Sequence, residues 1–357
     1  MTYKSLHQQA NQLACLLSSQ LPQHSIVAVC THRCLFSYIA VLAIQISENI
    51  YLPIDENFPS ERQRLLLNDS VAVCLITKTA MEAHFEHYSG CIIFYHDDTN
   101  FRLSLQRMDI IWPTVKYSPA DLAYILHTSG STAKPKGCKL TRRNLAAAIE
   151  GFRAVLEEAA PRSLNSGVRF LAHPAELFDV VLLETILPIR VGGTIVTDAR
   201  DMLLSDLSKA MAATRVIHAA VVPSLLFSGG KRIRSDHLPP LRTLIVGGES
   251  LRQDVVDNWD PSNLPLLNAY GPTETAIGSS IGRITSTSSP KNVGRTFPGT
   301  QYVVARRSAE GDRIVPALRG ESGELCILSV QVGAGYLGDT ISTAFDPYKD
   351  FCSLSYG

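Results

Sequence analysis

Apolar runs rich in β-branched residues alternate along this chain with stretches whose apolar residues recur every three or four positions. Leu6, Ala10, Leu13 and Leu17 have helical spacing, and the run Ile26–Cys30 after Pro22 predicts a buried strand. The pattern recurs: a helix around Leu35–Ile44 leads to YLPID (Tyr51–Asp55), and a helix over Pro59–Leu67 leads to VAVCLIT (Val71–Thr77). CIIFY (Cys91–Tyr95) supplies a further strand. Strands covered on both faces read as near-continuous apolar runs, and helices between them act as crossovers. The alternation therefore predicts an α/β chain with mostly parallel, helix-covered sheets.

With 357 residues the chain exceeds the roughly 250–300 at which one hydrophobic core stops growing, so two stacked α/β subdomains and a smaller unit are expected. Asp97–Ser118 is polar and irregular and contains Pro113, which sets a first α/β subdomain at 1–118. Alternation resumes with a helix over Phe178–Pro188 and strands over Thr194–Thr197, Val216–Val222, Leu241–Val246 and Pro265–Asn268, giving a second α/β subdomain at 119–282. From Arg283 short strand-like runs take over, QYVVA (Gln301–Ala305) and GELCIL (Gly323–Leu328) among them, so 283–357 is expected to be a small, truncated β-rich subdomain.

Hydrophobic residues make up 45% and charged residues 18%, which argues against long disordered tails. The net charge is zero, so no electrostatic footprint points to nucleic acid or an anionic membrane. The eight cysteines contain no CxxC pair, which disfavours a zinc site or disulfide scaffold. No signal-peptide pattern and no long apolar run occur, and a cytoplasmic protein is expected.

HTSGSTAKPKG (His127–Gly137) lies between the apolar strand Leu122–Leu126 and a helix that Thr141 can cap, with Leu145, Ile149, Phe152 and Leu156 on its inner face. Hydroxyls, glycines and two lysines are what a polyphosphate needs, although a solvated turn would have the same composition. It is not a Walker loop, because Pro135 and Gly137 keep the chain extended after the lysines instead of opening a helix.

The order of these residues resembles the TSG[ST]TGxPKG signature of the adenylate-forming superfamily, with Ala133 where that family has Gly. NAYGPTETA (Asn268–Ala276) resembles its NAYGPTE segment, and LIVGGESL (Leu244–Leu251) resembles the strand and turn that line both adenine and substrate. VGRTFPG (Val293–Gly299) and GELCILSVQVGAGYLG (Gly323–Gly338) are similar to later segments, the second with Ser329 for Gly and Ala334 for Arg. YKSLHQQANQLA and YLPIDENFPSER match upstream segments, so the resemblance runs through the chain in order. Phe178-Asp179 resembles the FDxS segment of amino-acid adenylation domains of nonribosomal peptide synthetases, although a lone Asp there also reads as an N-cap.

This resemblance implies an adenylate-forming fold that lacks the family's mobile C-terminal subdomain. It implies an ATP-phosphate loop of Thr128, Ser129, Gly130, Ser131, Thr132, Lys134, Lys136 and Gly137. A nucleotide pocket of Gly248, Glu249, Asn268, Ala269, Tyr270, Gly271 and Thr273 follows, with Tyr270 stacked on adenine, Thr273 on the α-phosphate and Mg²⁺ on Glu274. Asp179 would hold the substrate α-ammonium, and Val180, Leu183, Ala220, Ile245, Gly247, Ala269, Ile277 and Gly278 would line its side chain. All but Asp179 are apolar or Gly, which predicts a bulky hydrophobic or aromatic amino acid.

The implied reaction is attack of the amino-acid carboxylate on the α-phosphorus of ATP, releasing pyrophosphate. The aminoacyl-adenylate then passes to the phosphopantetheine thiol of a peptidyl carrier domain, and other synthetase domains are expected partners. No protein nucleophile is needed, since charge neutralisation and positioning carry the reaction. The family's YRTGD segment and C-terminal catalytic Lys have no counterpart in FDPYKDFCSLSYG, so this chain alone is expected to be weakly active or inactive, with no catalytic residue of its own. Two other readings stand beside this one: a nucleotide-binding pseudoenzyme or interaction module, and an aryl- or acyl-CoA ligase, against which Asp179 discriminates.

Overall fold

The computed structural model describes residues 1–94, 99–107, 117–128, 135–172, 178–197, 206–230, 233–238, 241–307 and 314–338. The N-terminal part runs α1 (Tyr3–Gln20), β1 (Ile26–Cys30), α2 (Leu35–Ile46), β2 (Ile50–Ile54), α3 (Ser60–Ser70), β3 (Cys74–Thr77), β4 (Cys91–Phe94) and α4 (Thr99–Gln106). β5 (Leu122–Thr128) and β6 (Lys136–Thr141) complete a six-stranded sheet of order β4-β3-β1-β2-β5-β6. All its pairs are parallel except the β5–β6 hairpin. Because β5 pairs with β2 through Tyr124 and Tyr51, the first sheet continues beyond the 1–118 segment.

The second sheet draws on α5 (Arg142–Ala159), β7 (Arg169–Leu171), α6 (Val180–Arg190), β8 (Thr194–Val196), α7 (Leu207–Thr214), β9 (His218–Val221), β10 (Thr243–Gly247), α8 (Gln253–Asn258), β11 (Leu266–Tyr270), β12 (Ser280–Arg283) and β13 (Arg295–Thr296). Its seven strands lie in the order β13-β12-β11-β10-β9-β7-β8. β7 to β11 are parallel, and β12 and β13 close one edge antiparallel. A three-stranded antiparallel sheet follows, β14 (Thr300–Arg307) lying between β15 (Ile314–Pro316) and β16 (Glu324–Ser329).

Alternation along the strands divides the core. Phe170, Ala220, Ile245 and Leu267 pack with Leu145, Ile149, Phe152 and Leu156 of α5 and Leu182, Leu183 and Leu187 of α6. The same cluster continues through Val27, Val29, Tyr51 and Tyr124 of the first sheet, so the two sheets share one helical filling. The intervening Leu171, Ala219, Leu244, Val246 and Leu266 face a second cluster with Leu207, Met211, Val255 and Trp259.

One buried amide helps to fasten the third sheet. Thr141 caps α5 by accepting the Asn144 N–H at 3.2 Å, and the Asn144 side-chain oxygen returns the favour to the Thr141 N–H at 2.7 Å. The same side chain donates to the Val330 and Val332 carbonyls at 2.7 and 3.0 Å. Asn144→Ala leaves the buried cap and the Val330 and Val332 carbonyls unmatched and is expected to lower unfolding stability by about 2–4 kcal/mol in urea titration. A loss below about 1 kcal/mol would mean that water replaces the amide.

Candidate nucleotide and amino-acid site

The candidate residues gather at the carboxyl ends of the parallel strands β9, β10 and β11, where an open α/β sheet leaves its crevice. Gly248 and Glu249 follow β10, and Gly271, Thr273 and Glu274 follow β11. Gly248 has φ +80°, a conformation side chains resist. A Cβ on Gly271 would lie 2.5 Å from the Gly278 backbone, so only glycine lets the two segments approach. The Glu249 carboxylate accepts from the Ser224 N–H and hydroxyl at 3.1 and 3.2 Å. Ser224 is not conspicuous in the sequence and becomes a member of the site only through this contact.

Tyr270 ends β11 with 38% of its surface exposed, leaving ring surface to receive a planar base. Its ring meets Tyr302 edge-on at 6.4 Å, and the Tyr302 hydroxyl is hydrogen-bonded to Ser279 at 2.6 Å. Asn268 is buried and donates to the Asn292 carbonyl at 3.0 Å, which ties β11 to the segment before β13.

Thr128 and Lys136 are cross-strand partners in the β5–β6 hairpin. Ser129, Gly130, Ser131, Thr132, Ala133 and Lys134 lie outside the described residues. A strap over 333–337 runs beside β6. Ala334 N–H donates to the Lys139 carbonyl at 2.8 Å, Lys139 N–H to Gly335 at 2.9 Å and Leu337 N–H to Gly137 at 2.7 Å. Gly333 N–H reaches the Glu274 carbonyl at 2.8 Å.

Asp179 precedes α6 but makes no side-chain capping hydrogen bond there. Its carboxylate instead crosses 98 positions of sequence to accept the Ile277 N–H at 3.0 Å. That N–H is presented by a strained turn: Ala276 and Ile277 have φ of 51° and 69°, and Gly278 N–H closes on the Ala276 carbonyl at 2.7 Å. Positive φ at a β-branched residue costs on the order of 1–3 kcal/mol and persists only where neighbours impose it.

The neighbour here is Gln331, which is 1% exposed. Its amide donates to the Gly278 carbonyl at 2.6 Å and to the Thr275 and Ala276 carbonyls at 3.3 and 3.4 Å, while its oxygen accepts from Thr300 at 3.3 Å. Sequence reasoning missed Gln331. The available signal was one amide between Val330 and Val332, just after β16.

The proposed lining residues converge on the same place. Val180 and Leu183 lie one turn apart on α6, Ala220 and Ile245 are cross-strand partners, and so are Gly247 and Ala269. Leu183, Ala220 and Ile245 are buried, with Val180, Ala269 and Ile277 packed against them. His218 stands two residues before Ala220 on the same face, its Nδ1 2.6 Å from the Thr243 hydroxyl. Burial pushes His218 down to about 4, which keeps it neutral near pH 7. A separate cavity of about 690 Å³ borders α3, lined by Glu61, Arg64, Asn68, Asp69, His87 and Tyr88, and shares no residue with this crevice.

The helix-covered sheets, with the candidate residues beyond the carboxyl ends of the second, define an open α/β fold. Residues 1–337 match the AMP-binding enzyme family, and the chain belongs to that family. It is 45% identical over 98% of its length to the ferrichrome siderophore peptide synthetase of Mycosarcoma maydis, of which it spans 8%. It is 37% identical over 97% of its length to the nonribosomal peptide synthetase sidC of Aspergillus fumigatus, of which it spans 7%. Among solved structures, the N-terminal domain of FACL13 from Mycobacterium tuberculosis superposes with a TM-score of 0.79 at 18% identity, covering 95% of this chain and 84% of that one. That likeness shows the fold, and the resemblance to synthetase adenylation domains is borne out by the sequence relatives.

Although Asp179 keeps some exposed surface as a residue, its carboxyl is crowded by protein. Burial pushes it up to about 6; the Ile277 N–H opposes this, and the Glu274 charge adds to it. A carboxyl raised in the folded state binds its proton there when the unfolded chain has already lost it. The stability it lends at low pH is therefore lost as pH climbs from about 4 to about 6. Asp179→Asn keeps an acceptor for Ile277 and cannot ionise. Above pH 6 it should exceed wild type in unfolding stability by on the order of 2–3 kcal/mol, with the gap closing by about pH 4 in pH-resolved urea titrations. A gap independent of pH would show that the Asp179 carboxyl holds its proton equally tightly in the folded and the unfolded chain.

Proposed function

We propose that this chain forms the ATP- and amino-acid-binding body of an adenylation domain that activates a bulky hydrophobic or aromatic amino acid for a siderophore peptide. The observation that carries the reading is Asp179, a carboxylate anchored on the Ile277 N–H at the mouth of an apolar lining. An α-ammonium placed against it would replace the lost hydration with an opposite charge, and removing one partner of such a buried pair typically costs about 3–5 kcal/mol. The apolar lining favours a side chain without charge, and the small residues Ala220 and Ala269 within it suit a bulky one. The siderophore product is brought in from the names of the relatives, ferrichrome siderophore peptide synthetase among them.

The remaining groups suit the nucleotide half of the reaction. Tyr270 offers a ring face to adenine, Thr273 a hydroxyl to the α-phosphate, and Lys136 a cation to the phosphates. Mg²⁺ keeps several waters and takes its other ligands largely from substrate phosphates, so the single carboxylate of Glu274 fits as its protein ligand. When bound, the ion would neutralise phosphate charge during attack by the amino-acid carboxylate. Asp179 holds the amino end of the substrate so that its carboxylate faces the phosphates, and the chain itself supplies no nucleophile. A carrier-domain thiol is the proposed acceptor of the aminoacyl group.

Calorimetric titration with non-hydrolysable aminoacyl-sulfamoyl adenosines tests binding separately from turnover. Analogues with aromatic or large aliphatic side chains should bind tighter than those with small or acidic side chains, by about 10-fold or more. Asp179→Ala should weaken them by roughly 100-fold or more. An acyl- or aryl-sulfamoyl adenosine without an α-amine that binds as tightly, and is indifferent to Asp179→Ala, would rule out amino-acid activation.

A further inference from the structure

We propose that Tyr336 is a positioning residue that holds the metal carboxylate and the phosphate-binding lysine in place while keeping them from neutralising each other; this rests on the nucleotide reading of the crevice given above. The Tyr336 hydroxyl donates to Glu274 Oε1 at 2.5 Å, and its ring takes the Lys136 ammonium at 5.3 Å from the centroid. One side chain thus offers a proton to the acid and a π-face to the base. Lys136 and Glu274 both border the space proposed for the phosphates, and both meet the Tyr336 side chain. Among the described residues, Glu274 Oε1 takes its hydrogen bond from this phenol and no ion pair joins it to Lys136.

The phenol engages both groups without consuming their charge. A carboxylate has about four lone-pair sites, so a single donor on Oε1 fixes the rotamer and leaves the second oxygen for a cation. The Glu274 backbone is tied to the same strap through Gly333 N–H at 2.8 Å, so both the main chain and the side chain of this residue take their position from 333–336. The strap does not depend on the phenol for its own placement. Three backbone hydrogen bonds and the Cys138–Tyr336 bridge already pair it with β6. The hydroxyl is therefore available for a role that a mere fastener would not need.

The test is the Mg²⁺ dependence of binding of α,β-methylene-ATP, measured by calorimetry on the whole 357-residue chain. Tyr336→Phe keeps the ring beside Lys136 and removes only the hydroxyl. It should raise the Mg²⁺ concentration for half-saturation by about 10–100-fold, the usual effect of losing an outer-shell partner of a metal ligand, and leave affinity in EDTA unchanged. Tyr336→Leu should also weaken binding in EDTA, because Lys136 loses its platform. Leu337→Ala loosens the same strap without touching the phenol, and should lower the melting temperature while leaving the Mg²⁺ dependence unmoved. If Glu274→Gln abolishes the Mg²⁺ dependence but Tyr336→Phe does not shift it, the positioning role is overturned while the nucleotide reading stands. If Glu274→Gln changes nothing, the nucleotide reading fails and the role of Tyr336 falls with it. If Leu337→Ala shifts the Mg²⁺ dependence as much as Tyr336→Phe, the hydroxyl acts only through the strap and the proposal is likewise overturned.

Discussion

The hydrogen bond between the Asp179 carboxylate and the Ile277 N–H is the contact on which the crevice depends. It joins the start of α6 to the turn after β11, two segments that the chain order alone gives no reason to meet. Each side bears a cost. The carboxyl is crowded enough to be pushed up to about 6, and the turn places a β-branched residue at φ 69°. Strain of this kind survives when the surrounding structure over-determines it, and here Gln331 does so by gripping the Thr275, Ala276 and Gly278 carbonyls of the turn from the segment after β16. Local instability at the site is thus offset by a buried amide whose own carbonyl oxygen is satisfied by Thr300.

All three sheets consequently meet in one place. The first supplies Lys136 from the β5–β6 hairpin, the second supplies Tyr270 and Glu274 beyond β11, and the segment after β16 supplies Gln331 and Tyr336. Asn144 links that last segment to α5, so the helical layer that fills the core also sets the height of the strap over the crevice. The arrangement explains why a short antiparallel sheet with little core of its own sits against a large α/β body. Its polar anchors, rather than an apolar face, decide where it docks.

The long elements were legible because their periodicities are strong. The inner face predicted for the helix after Thr141 is the buried face of α5, and the apolar runs at 26–30 and 241–246 are the interior strands β1 and β10. β6 was not foreseen as a strand, because KGCKLT carries two lysines; its polar residues lie at a sheet edge, and its register comes from the hairpin with β5. Phe178–Pro188 was readable as a helix, but the destination of the Asp179 side chain was not. A lone Asp there has the chemistry of a cap, and only the long-range partner removes that reading. Gln331 and Tyr336 were hidden for the same reason, since their importance lies in partners 53 and 62 positions away.

Two buried titratable groups on this face also oppose each other in pH. Asp179 binds its proton more tightly in the folded chain than in the unfolded one, so between about 4 and 6 its contribution to stability falls as pH rises. His218 is held neutral by burial and protonates only near 4, whereas in the unfolded chain it protonates near 6.5. Its contribution therefore rises with pH across nearly the same window. One proton is bound preferentially by the native state and one by the unfolded state, and the two slopes nearly cancel. A fold that crowds a carboxyl in this crevice can in this way avoid a steep acid dependence from that group.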